Sequence, residues 1–341
     1  MMEKPAQPLS RKLGIALVGL GQYATEELAP ALQETQYCEL RGIVTGSSEK
    51  IPEWKDKYGI PDRNIYHYDN LEDIASNEDI DIIYIVLPNS QHANYTVRAA
   101  KAGKHVICEK PMAISVVECD EMIRVCRENN VKLGIGYRLH SDPYHQYVME
   151  LGQGKFGHLL KVEGEHSMLL QDPDAWRLQH KFAGGGPLMD VGIYVVQAAC
   201  YTVGKNPIAV REASFGEPTE PEIYTTVEES IQWTLEFPGG ILAHGSCSYK
   251  KDADWLKGEA STGTWALDPA FAYSGIKGQT NKGPVQFPEV NQQARQMDGF
   301  ALAVLNGEES KVPGEMGRRD VAILMAIYEA AETGKSVLLN L

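Results

Sequence analysis

Segments of strand-like and helix-like character alternate strictly between residues 13 and 136. Apolar runs of strand length occur at 13–19, 38–46, 80–88, 105–108 and 132–136. Stretches with helical spacing stand between them, such as the one at 115–130, which opens on Ser115 as a plausible cap. The inner runs have no polar face, which is typical of strands in a parallel sheet. Strict alternation implies right-handed crossovers, so the sequence predicts a doubly wound parallel sheet of the Rossmann type.

The second half of the chain has a different pattern. In "ESIQWTLEF" (229–237), apolar residues alternate with polar ones, which indicates a half-buried antiparallel strand. "PGG" then turns the chain into another strand at 241–249, and a long strand is predicted at 159–170. We therefore predict an α/β Rossmann domain over 1–136. An α+β domain with a large, mainly antiparallel open-faced sheet is predicted over 137–341.

Composition and charge exclude several classes of protein. A length of 341 residues is enough for two domains with full cores. The net charge of -14 argues against a nucleic-acid partner, because such a partner requires a basic surface. No apolar run approaches the roughly 18 residues of a membrane span. The opening "MMEKPAQPLSRK" has no apolar core of the signal-peptide kind, so we expect a short flexible arm and a cytoplasmic protein.

Cysteine and histidine patterns give no sign of a metal site. The six cysteines form no CxxC pair, which favours buried thiols in a reducing compartment. The nine histidines include no HExxH motif and no cluster with zinc spacing. We predict no metal.

A glycine motif follows the first predicted strand. "GLGQYA" places Gly19, Gly21 and Ala24 at the spacing of the dinucleotide fingerprint. Gly19 allows the tight turn, Gly21 lets the backbone approach a pyrophosphate, and the third position needs only a small side chain. The N–H groups of the helix that follows would face the phosphate charge. The sequence predicts a nicotinamide dinucleotide site here.

The end of the second strand favours one dinucleotide over the other. An NAD site usually carries Asp or Glu there to hold the ribose hydroxyls. This chain has "VTGSSEK", with Thr45, Ser47 and Lys50, and its one carboxylate, Glu49, falls late in the run. Hydroxyls and a lysine suit a 2′-phosphate, so NADP is favoured and NAD is less expected. The alternative is an ordinary polar loop.

Two further motifs carry polar groups where apolar ones would be expected. "CEKPM" (108–112) fixes Lys110 at the end of an inner strand, directly before a proline. In "GGGPLMDVGIY", Asp190 and Tyr194 are four residues apart and so share one helical face. A buried tyrosine hydroxyl satisfied by a nearby acid would also explain that pair, and the residues alone leave both explanations open.

The chain resembles the Gfo/Idh/MocA oxidoreductases in five motifs: "CEKPM", "LPNSQH", "IGYR", "WRL" and "GGGPLMDVGIY". The resemblance is closer to the glucose–fructose oxidoreductase branch and the related aldose–aldose oxidoreductases. It runs from about residue 11 to the C-terminus. It implies that the protein is an enzyme in which a sugar exchanges hydride with NADP.

The resemblance also implies catalytic roles. Lys110, Asp190 and Tyr194 are expected to meet beside the nicotinamide. A free tyrosine phenol has a pKa near 10, and a neighbouring ammonium stabilises the phenolate. Tyr194 is therefore expected to be the general acid/base, with Lys110 as its electrostatic partner and a ligand of the reacting oxygen. Asp190 would orient Lys110 or a sugar hydroxyl. Many relatives have histidine in place of Tyr194, and tyrosine favours aldoses over inositol.

The resemblance also implies binding residues, position by position. Cofactor contacts are expected from the glycine turn, the 2′-phosphate pocket, the strand ends and the surroundings of the nicotinamide: Gly19, Gly21, Gln22, Tyr23, Ala24, Thr45, Gly46, Lys50, Tyr68, Leu87, Pro88, Asn89, His92, Glu109, Lys110, Arg138, Trp176 and Arg177. Substrate contacts are expected from Lys110, Tyr137, Asp190 and Tyr194. His92 has an alternative role as a helix-start residue, and Trp176 as a core aromatic.

The predicted reaction is NADP-dependent oxidation of a cyclic aldose such as glucose or xylose at C1, giving the lactone. A cofactor that stays bound and is regenerated by a second sugar is one alternative. A dehydrogenase of another polyol or dihydrodiol, or a non-catalytic NADP-responsive regulator, are others. The intact set of Lys110, Asp190 and Tyr194 argues against the regulator. The resemblance further implies a homodimer or homotetramer formed through the C-terminal sheet.

Overall fold

The computed structural model describes Pro5 and residues 11–341, which form two compact units. The first unit runs to His140 and also takes in Asn291–Arg318. The second comprises Ser141–Val290 and Arg319–Leu341. Most of the predicted N-terminal arm lies outside the described residues.

The first unit is built on a sheet of six parallel strands. In chain order these are β1 Leu13–Val18, β2 Cys38–Val44, β3 Ile65–Tyr66, β4 Ile82–Ile85, β5 His105–Cys108 and β6 Leu133–Ile135. Their order across the sheet is β3-β2-β1-β4-β5-β6, and every neighbouring pair is parallel. This order reverses between β1 and β4, which is the dinucleotide-binding topology. The predicted doubly wound sheet is confirmed.

Helices connect these strands. They are α1 Ala29–Ala31, α2 Ile51–Tyr58, α3 His92–Lys101 and α4 Val116–Glu128. The predicted cap at Ser115 is present, because its Oγ accepts from the backbone N–H of Glu118 at 3.3 Å. The first helical segment opens with a π-helical turn, Ala24–Leu28, and continues as α1. Pro30 follows that turn and has no N–H to give to a regular helical ladder.

The core of this unit explains why the inner strands lack polar faces. Residues such as Ile15, Leu17, Ile83 and Ile107 are buried on both sides of the sheet. Short 3₁₀ turns surround the core at Ser48–Lys50, Asp62–Asn64, Leu71–Ser76, Asn89–Gln91 and Arg138–Ser141. No helix among the described residues is long and apolar enough to cross a membrane.

A late segment of the chain belongs to the first unit. Helix α8, Gln292–Asn306, places Met297 and Phe300 in the same apolar cluster as Leu13 and Leu40. The Asp298 carboxylate accepts backbone N–H bonds from Gln36 and Tyr37. The sequence-based boundary left all of 137–341 in the second domain, because helical periodicity does not indicate which unit a helix packs against. Helix α9, Gly314–Thr333, begins in the first unit and continues in the second.

The second unit is built on a nine-stranded sheet. Its strands are β7 Leu159–Ser167, β8 Ala209–Phe215, β9 Ser230–Phe237, β10 Ile241–Ser248, β11 Ala253–Ala260, β12 Gly263–Leu267, β13 Gly278–Thr280, β14 Gly283–Val285 and β15 Val337–Leu338. The order is β14-β13-β12-β11-β7-β10-β9-β8-β15. Only the β7–β10 pair is parallel among the described pairings, so the predicted mainly antiparallel sheet is confirmed.

Helical segments cover one face of this sheet. They are α5 Pro143–Glu150, α6 His180–Ala183 and α7 Ile193–Val203, with irregular or π-helical turns at Leu151–Lys155 and Leu188–Gly192 and a 3₁₀ turn at Trp176–Leu178. Almost all of α7 is buried, and it packs against β7 and β10. The turn that precedes α7 therefore holds its one polar side chain, Asp190, beside the core of the unit.

Candidate active site

The glycine turn after β1, where the sequence predicts a pyrophosphate, is tightly packed at one glycine and open at the other. Gly19 has a φ of 97°, and a Cβ there would lie 2.3 Å from the Val86 carbonyl oxygen. A Cβ on Gly21 would meet no atom within 4 Å. Ala24 is fully buried against the core. The turn is thus closed on its sheet side at Gly19 and open at Gly21, which is a cradle that a larger side chain would fill.

The segment after β2 gathers polar groups beside that turn. The Lys50 ammonium donates to the Leu20 carbonyl oxygen at 2.7 Å. Thr45 is buried, and its Oγ1 accepts from the Ser47 N–H at 3.0 Å. Burial raises the pKa of Tyr68, and a hydrogen bond from the Gly46 backbone lowers it. The predicted cofactor residues Thr45, Gly46, Lys50 and Tyr68 all belong to the first unit, and hydrogen bonds link Gly46 to Tyr68 and Lys50 to the glycine turn.

His92 links the loops after β4 and β5. It is fully buried, and its two ring nitrogens lie 2.8 Å from the Pro111 and Leu87 carbonyl oxygens. Burial lowers its pKa, although the two backbone contacts act in the opposite direction. His92 also begins α3, as its alternative role predicted. Its contacts tie the segment containing Pro88 and Asn89 to the segment containing Lys110.

The strand end that carries Lys110 is held by the residue before it. Lys110 and Pro111 are joined by a cis peptide bond. The Glu109 carboxylate is buried and accepts from the Tyr84 hydroxyl at 2.7 Å. Its other oxygen accepts from the backbone N–H of Lys110 at 3.1 Å. Burial raises the pKa of Glu109, while the Tyr84 hydrogen bond and the Lys110 charge act against that shift.

Two predicted residues follow β6. Tyr137 and Arg138 are both buried, and an Arg138 guanidinium nitrogen donates to the Gln292 side-chain oxygen. At the glycine turn, the Gln22 amide donates to Glu26 at 2.9 Å. The first unit therefore places the predicted residues from the ends of β1, β2, β4, β5 and β6 at the carboxyl edge of one parallel sheet, where ligands of such sheets bind.

In the second unit, the predicted residues gather at the π-helical turn before α7. Asp190 lies in that turn, and its Oδ2 accepts from the Arg177 guanidinium at 2.8 Å. The Tyr249 hydroxyl donates to the same oxygen at 3.1 Å. Tyr249 is fully buried, and burial together with the charge of Asp190 raises its pKa well above the usual range. A phenol and a guanidinium thus hold the carboxylate in one orientation.

The side chain of Arg177 is held on a second side. Its guanidinium lies 4.8 Å from the centroid of the Trp176 ring, which is within cation–π range. The charge of Asp190 raises the pKa of Arg177. The sequence indicated Trp176, Arg177 and Asp190 separately, and the structure brings them together within the second unit.

Tyr194 stands one helical turn after Asp190, on α7. Its ring lies 5.4 Å from that of His166, edge to face, and 6.1 Å from that of Phe271. The side chain is partly buried. Lys110 belongs to the first unit, so its expected meeting with Asp190 and Tyr194 stays a prediction.

A carboxylate that the sequence did not indicate holds the start of this turn. Glu228 accepts from the backbone N–H groups of Gly186 at 2.9 Å and Leu188 at 3.1 Å. The Tyr328 hydroxyl donates to it at 2.8 Å. Burial raises the pKa of Glu228, and these three hydrogen bonds act against the shift. Glu228 therefore fixes the segment that presents Asp190.

Sequence reasoning missed two residues of the first unit, Tyr84 and Gln296, whose amide nitrogen donates to the Tyr84 hydroxyl at 2.7 Å. In the second unit it missed Glu228, Tyr249 and Tyr328. Tyr84 had a visible signal, since a hydroxyl within an apolar inner strand requires a hydrogen-bond partner. The other four lie far along the chain from the groups they contact, and no local pattern indicates those contacts.

All six cysteines are buried, and none is in a disulfide in the part of the chain that the structure describes, which agrees with the predicted thiols. Within that same part, no three side chains of His, Cys, Asp or Glu are grouped so that they could hold a metal ion.

Comparison with known proteins identifies relatives of both units. Residues 13–137 match a family model described as the oxidoreductase family with an NAD-binding Rossmann fold. Residues 146–266 match the GFO/IDH/MocA C-terminal domain. The crystal structure of an aldose–aldose oxidoreductase from Caulobacter crescentus, complexed with glycerol, is 37% identical, with a TM-score of 0.94. The match covers 96% of this chain and all of that one.

Two further relatives are named as xylose dehydrogenases. The D-xylose 1-dehydrogenase [NADP(+)] of Haloarcula marismortui is 29% identical, over 95% of this chain and 92% of its own length. The D-xylose 1-dehydrogenase (NADP(+)) 2 of Haloferax volcanii is 27% identical, over 95% of this chain and 99% of its own. Both similarities span the two units.

Proposed function

Because the chain belongs to the GFO/IDH/MocA oxidoreductase family, we propose that it is an NADP-dependent sugar oxidoreductase. The substrate we propose is a cyclic aldose, oxidised at C1 to the lactone. The names of the relatives support this, since they are an aldose–aldose oxidoreductase and two NADP(+) xylose dehydrogenases. The observation that carries the proposal is the oriented Asp190 carboxylate one helical turn before Tyr194.

Residues of the first unit fit the cofactor. Gly21 leaves open space at the start of the first helix, where a pyrophosphate would lie. No carboxylate stands among Thr45, Gly46 and Ser47, and Lys50 is held beside the glycine turn. This set suits a 2′-phosphate. Bound NADP supplies the acceptor for the hydride that leaves C1.

The remaining chemistry falls to protein side chains. Oxidation of a C1 hydroxyl requires that its proton leave oxygen as the hydride leaves carbon. We assign the proton to the Tyr194 oxygen, and the stabilisation of the phenolate and of the reacting oxygen to the Lys110 ammonium. Asp190, held by Arg177 and Tyr249, would accept a hydrogen bond from a sugar hydroxyl or orient Lys110. The product is a carbonyl at C1, which is the lactone.

The direct test is to denature the purified protein and measure released nicotinamide. A panel of aldoses, including glucose and xylose, is then assayed with and without added NADP at 340 nm. Lactone formation that requires added NADP supports a dehydrogenase with exchanging cofactor. Released NADP together with conversion of two sugars without added cofactor supports regeneration by a second sugar. No sugar conversion under any condition contradicts the enzyme, and the NADP-responsive regulator then remains.

Cofactor choice depends on Lys50. Charge-assisted contacts to a phosphate are each worth about 1.5–3 kcal/mol. We expect Lys50→Ala to narrow the preference for NADP over NAD at least about tenfold, since about 1.4 kcal/mol is a factor of ten. Binding of both cofactors is measured by fluorescence titration. Lys57→Ala, which removes an exposed lysine from α2, is the matched control and should leave the ratio unchanged. Equal affinities in the wild type would contradict the pocket.

A homodimer or homotetramer through the nine-stranded sheet is also proposed. One face of this sheet carries polar and charged residues on neighbouring strands, as in the registered pairs of His244 with Thr234 and of Lys257 with Glu163. A face of this size is covered by a second copy or remains wet, and closed symmetric assemblies are the usual result. Sedimentation that shows a monomer at micromolar concentration would contradict the assembly.

A further inference from the structure

A chain of hydrogen bonds lies under the strand end that carries Lys110. The Gln296 amide nitrogen donates to the Tyr84 hydroxyl at 2.7 Å. Tyr84 in turn donates to Glu109 Oε1 at 2.7 Å, and the backbone N–H of Lys110 donates to Glu109 Oε2 at 3.1 Å. Donation therefore runs from α8 through β4 to the Glu109 carboxylate. Each oxygen of that carboxylate accepts from a different donor.

The carboxylate is confined on its remaining sides. Glu109 is 7% exposed, Tyr84 is fully buried and Gln296 is 5% exposed. A Cβ at Gly136 would lie 2.5 Å from Glu109 Oε1. The Glu109 N–H donates to the Ile85 carbonyl, so its backbone is fixed to β4. Glu109 is thus set in one position by the strands on both sides of β5.

Two cations, Lys110 and Arg138, act on the Glu109 carboxylate. Burial raises its pKa, whereas the Tyr84 hydrogen bond and the charges of Lys110 and Arg138 lower it. Tyr23 acts on Tyr84 as a further titratable group, and His92 is placed against the Pro111 carbonyl. The donors, together with the two cations, therefore decide whether Glu109 stays ionised in its buried position.

We propose that Tyr84 and Gln296 are positioning residues that hold the Glu109 carboxylate and, through it, the backbone of Lys110. Neither touches the reacting atoms. Their effect reaches the site through the Lys110 N–H, which a protonated or displaced Glu109 would hold less well. The inference rests on the proposed function in placing Lys110 beside the nicotinamide. Its test is therefore a binding measurement that does not depend on any sugar being turned over.

The experiment measures NADPH affinity by fluorescence between pH 5 and 9. Affinity should decline on the acid side as Glu109 takes up a proton. Tyr84→Phe keeps the ring and removes the hydrogen-bond donor, so the ionised Glu109 carboxylate loses stabilisation. The decline of NADPH affinity at low pH, here called the acid limb, should then move to higher pH. A hydrogen bond to a charged group predicts a shift of about one pH unit. Gln296→Leu should shift the limb less, because it acts through Tyr84. The double variant should match Tyr84→Phe, since residues that act as a unit are not additive.

Tyr66→Phe is the matched control. Tyr66 is buried in the same sheet, and its hydroxyl accepts from the Asn77 amide at 2.7 Å, away from Glu109. It should lower thermal stability as Tyr84→Phe does but leave the acid limb in place. An unmoved limb in both Tyr84→Phe and Gln296→Leu overturns the inference, and if Tyr84→Phe does not fold, Gln296→Leu decides alone. A shifted limb in a protein that oxidises no sugar supports the inference while rejecting the proposed reaction. A wild type that binds no NADPH at any pH overturns both.

Discussion

Two buried glutamates, Glu109 in the first unit and Glu228 in the second, are held by similar groups. Each accepts from a tyrosine hydroxyl, Tyr84 at 2.7 Å and Tyr328 at 2.8 Å. Glu109 also accepts from one backbone N–H and Glu228 from two, and burial raises the pKa of both carboxylates. In each case the segment so held carries a proposed catalytic residue. The two units therefore stabilise their polar segments by the same physical means, a buried carboxylate that satisfies otherwise unpaired donors.

The two glutamates differ in how far they reach along the chain. Glu109 accepts from the next residue, Lys110, whereas Glu228 accepts from Gly186, 42 positions before it. The charge balance differs as well. Two cations, Lys110 and Arg138, lower the pKa of Glu109, while the pKa of Glu228 is lowered by hydrogen bonds. The first arrangement is local with respect to the backbone N–H that it holds, and two cations support it. The second joins distant parts of one unit and depends on N–H and O–H donors.

We expect the largest effect, a loss of turnover, from substitution of the two proposed catalytic residues Tyr194 and Lys110. Tyr194→Phe removes the proposed proton carrier but keeps the ring beside His166, so folding and NADPH binding should survive. General acid–base catalysis is worth about 10²–10⁴-fold in rate, and turnover should fall by that order. Lys110→Ala should fall at least as far, because it loses a contact to the reacting oxygen as well as the charge.

Turnover is measured beside melting temperature for both single variants and for the double variant. The double variant should be little worse than the worse single one, because the two residues act as a unit. A Tyr194→Phe protein that keeps more than about a third of the wild-type rate would refute the assignment, since this loss is far below a general-base effect.

Substitution of Gly136 and of Gly186 by alanine tests how differently Glu109 and Glu228 are held. A Cβ at Gly186 would lie 2.3 Å from the backbone oxygen of Glu228, which cannot move away. A Cβ at Gly136 meets the end of the Glu109 side chain, which can move away only by giving up its hydrogen bonds to Tyr84 and to the Lys110 N–H. We expect Gly186→Ala to lower the free energy of unfolding by about 1–3 kcal/mol, the usual cost of overpacking. Gly136→Ala should cost less stability and instead displace Glu109, with weaker NADPH binding.

Urea unfolding and NADPH titration are measured on both glycine variants. If the two lose equal stability and Gly136→Ala binds NADPH as the wild type does, then Glu109 is not confined as the comparison requires.

Much of the first unit could be predicted from the sequence because its signals are local. An inner parallel strand is buried on both faces, so β4 and β5 appear as uninterrupted apolar runs. Gly19 and Gly21 belong to the single turn after β1, and Glu109 directly precedes Lys110 in the sequence. The return of α8 to this unit could not be predicted, since its periodicity indicates a buried face but not the surface against which that face packs.

The polar contacts of the second unit are harder to predict from the sequence, because they join residues that lie far apart in the chain. Arg177 and Asp190 were each indicated by their motifs, but a separation of 13 residues across two turns gives no rule for their pairing. Glu228 and Tyr328 lie in segments whose patterns indicate only a strand start and a helix face. Contacts between distant polar groups depend on the tertiary fold, and no helical or strand period encodes them.

The smallest expected effect is on the pH dependence of stability. Because the folded-state pKa of Glu228 is raised, the folded protein holds that proton to higher pH than the unfolded chain does. Its contribution to stability is therefore fully present below the ordinary glutamate pKa of about 4.3 and is lost as pH rises through the folded value. Glu228→Gln removes this titration. The stability of the wild type relative to Glu228→Gln should fall as pH rises from about 4 to 7.

The measurement is urea unfolding of both proteins at several pH values, with Glu332→Gln as a control at an exposed position of the same unit. The control should change the slope little. Glu109→Gln should show the same sign as Glu228→Gln, since burial raises both pKa values. Opposite slopes for the two variants would mean that the cations beside Glu109 outweigh its burial. The two glutamates would then stabilise their units by different means, charge pairing in the first and donor satisfaction in the second.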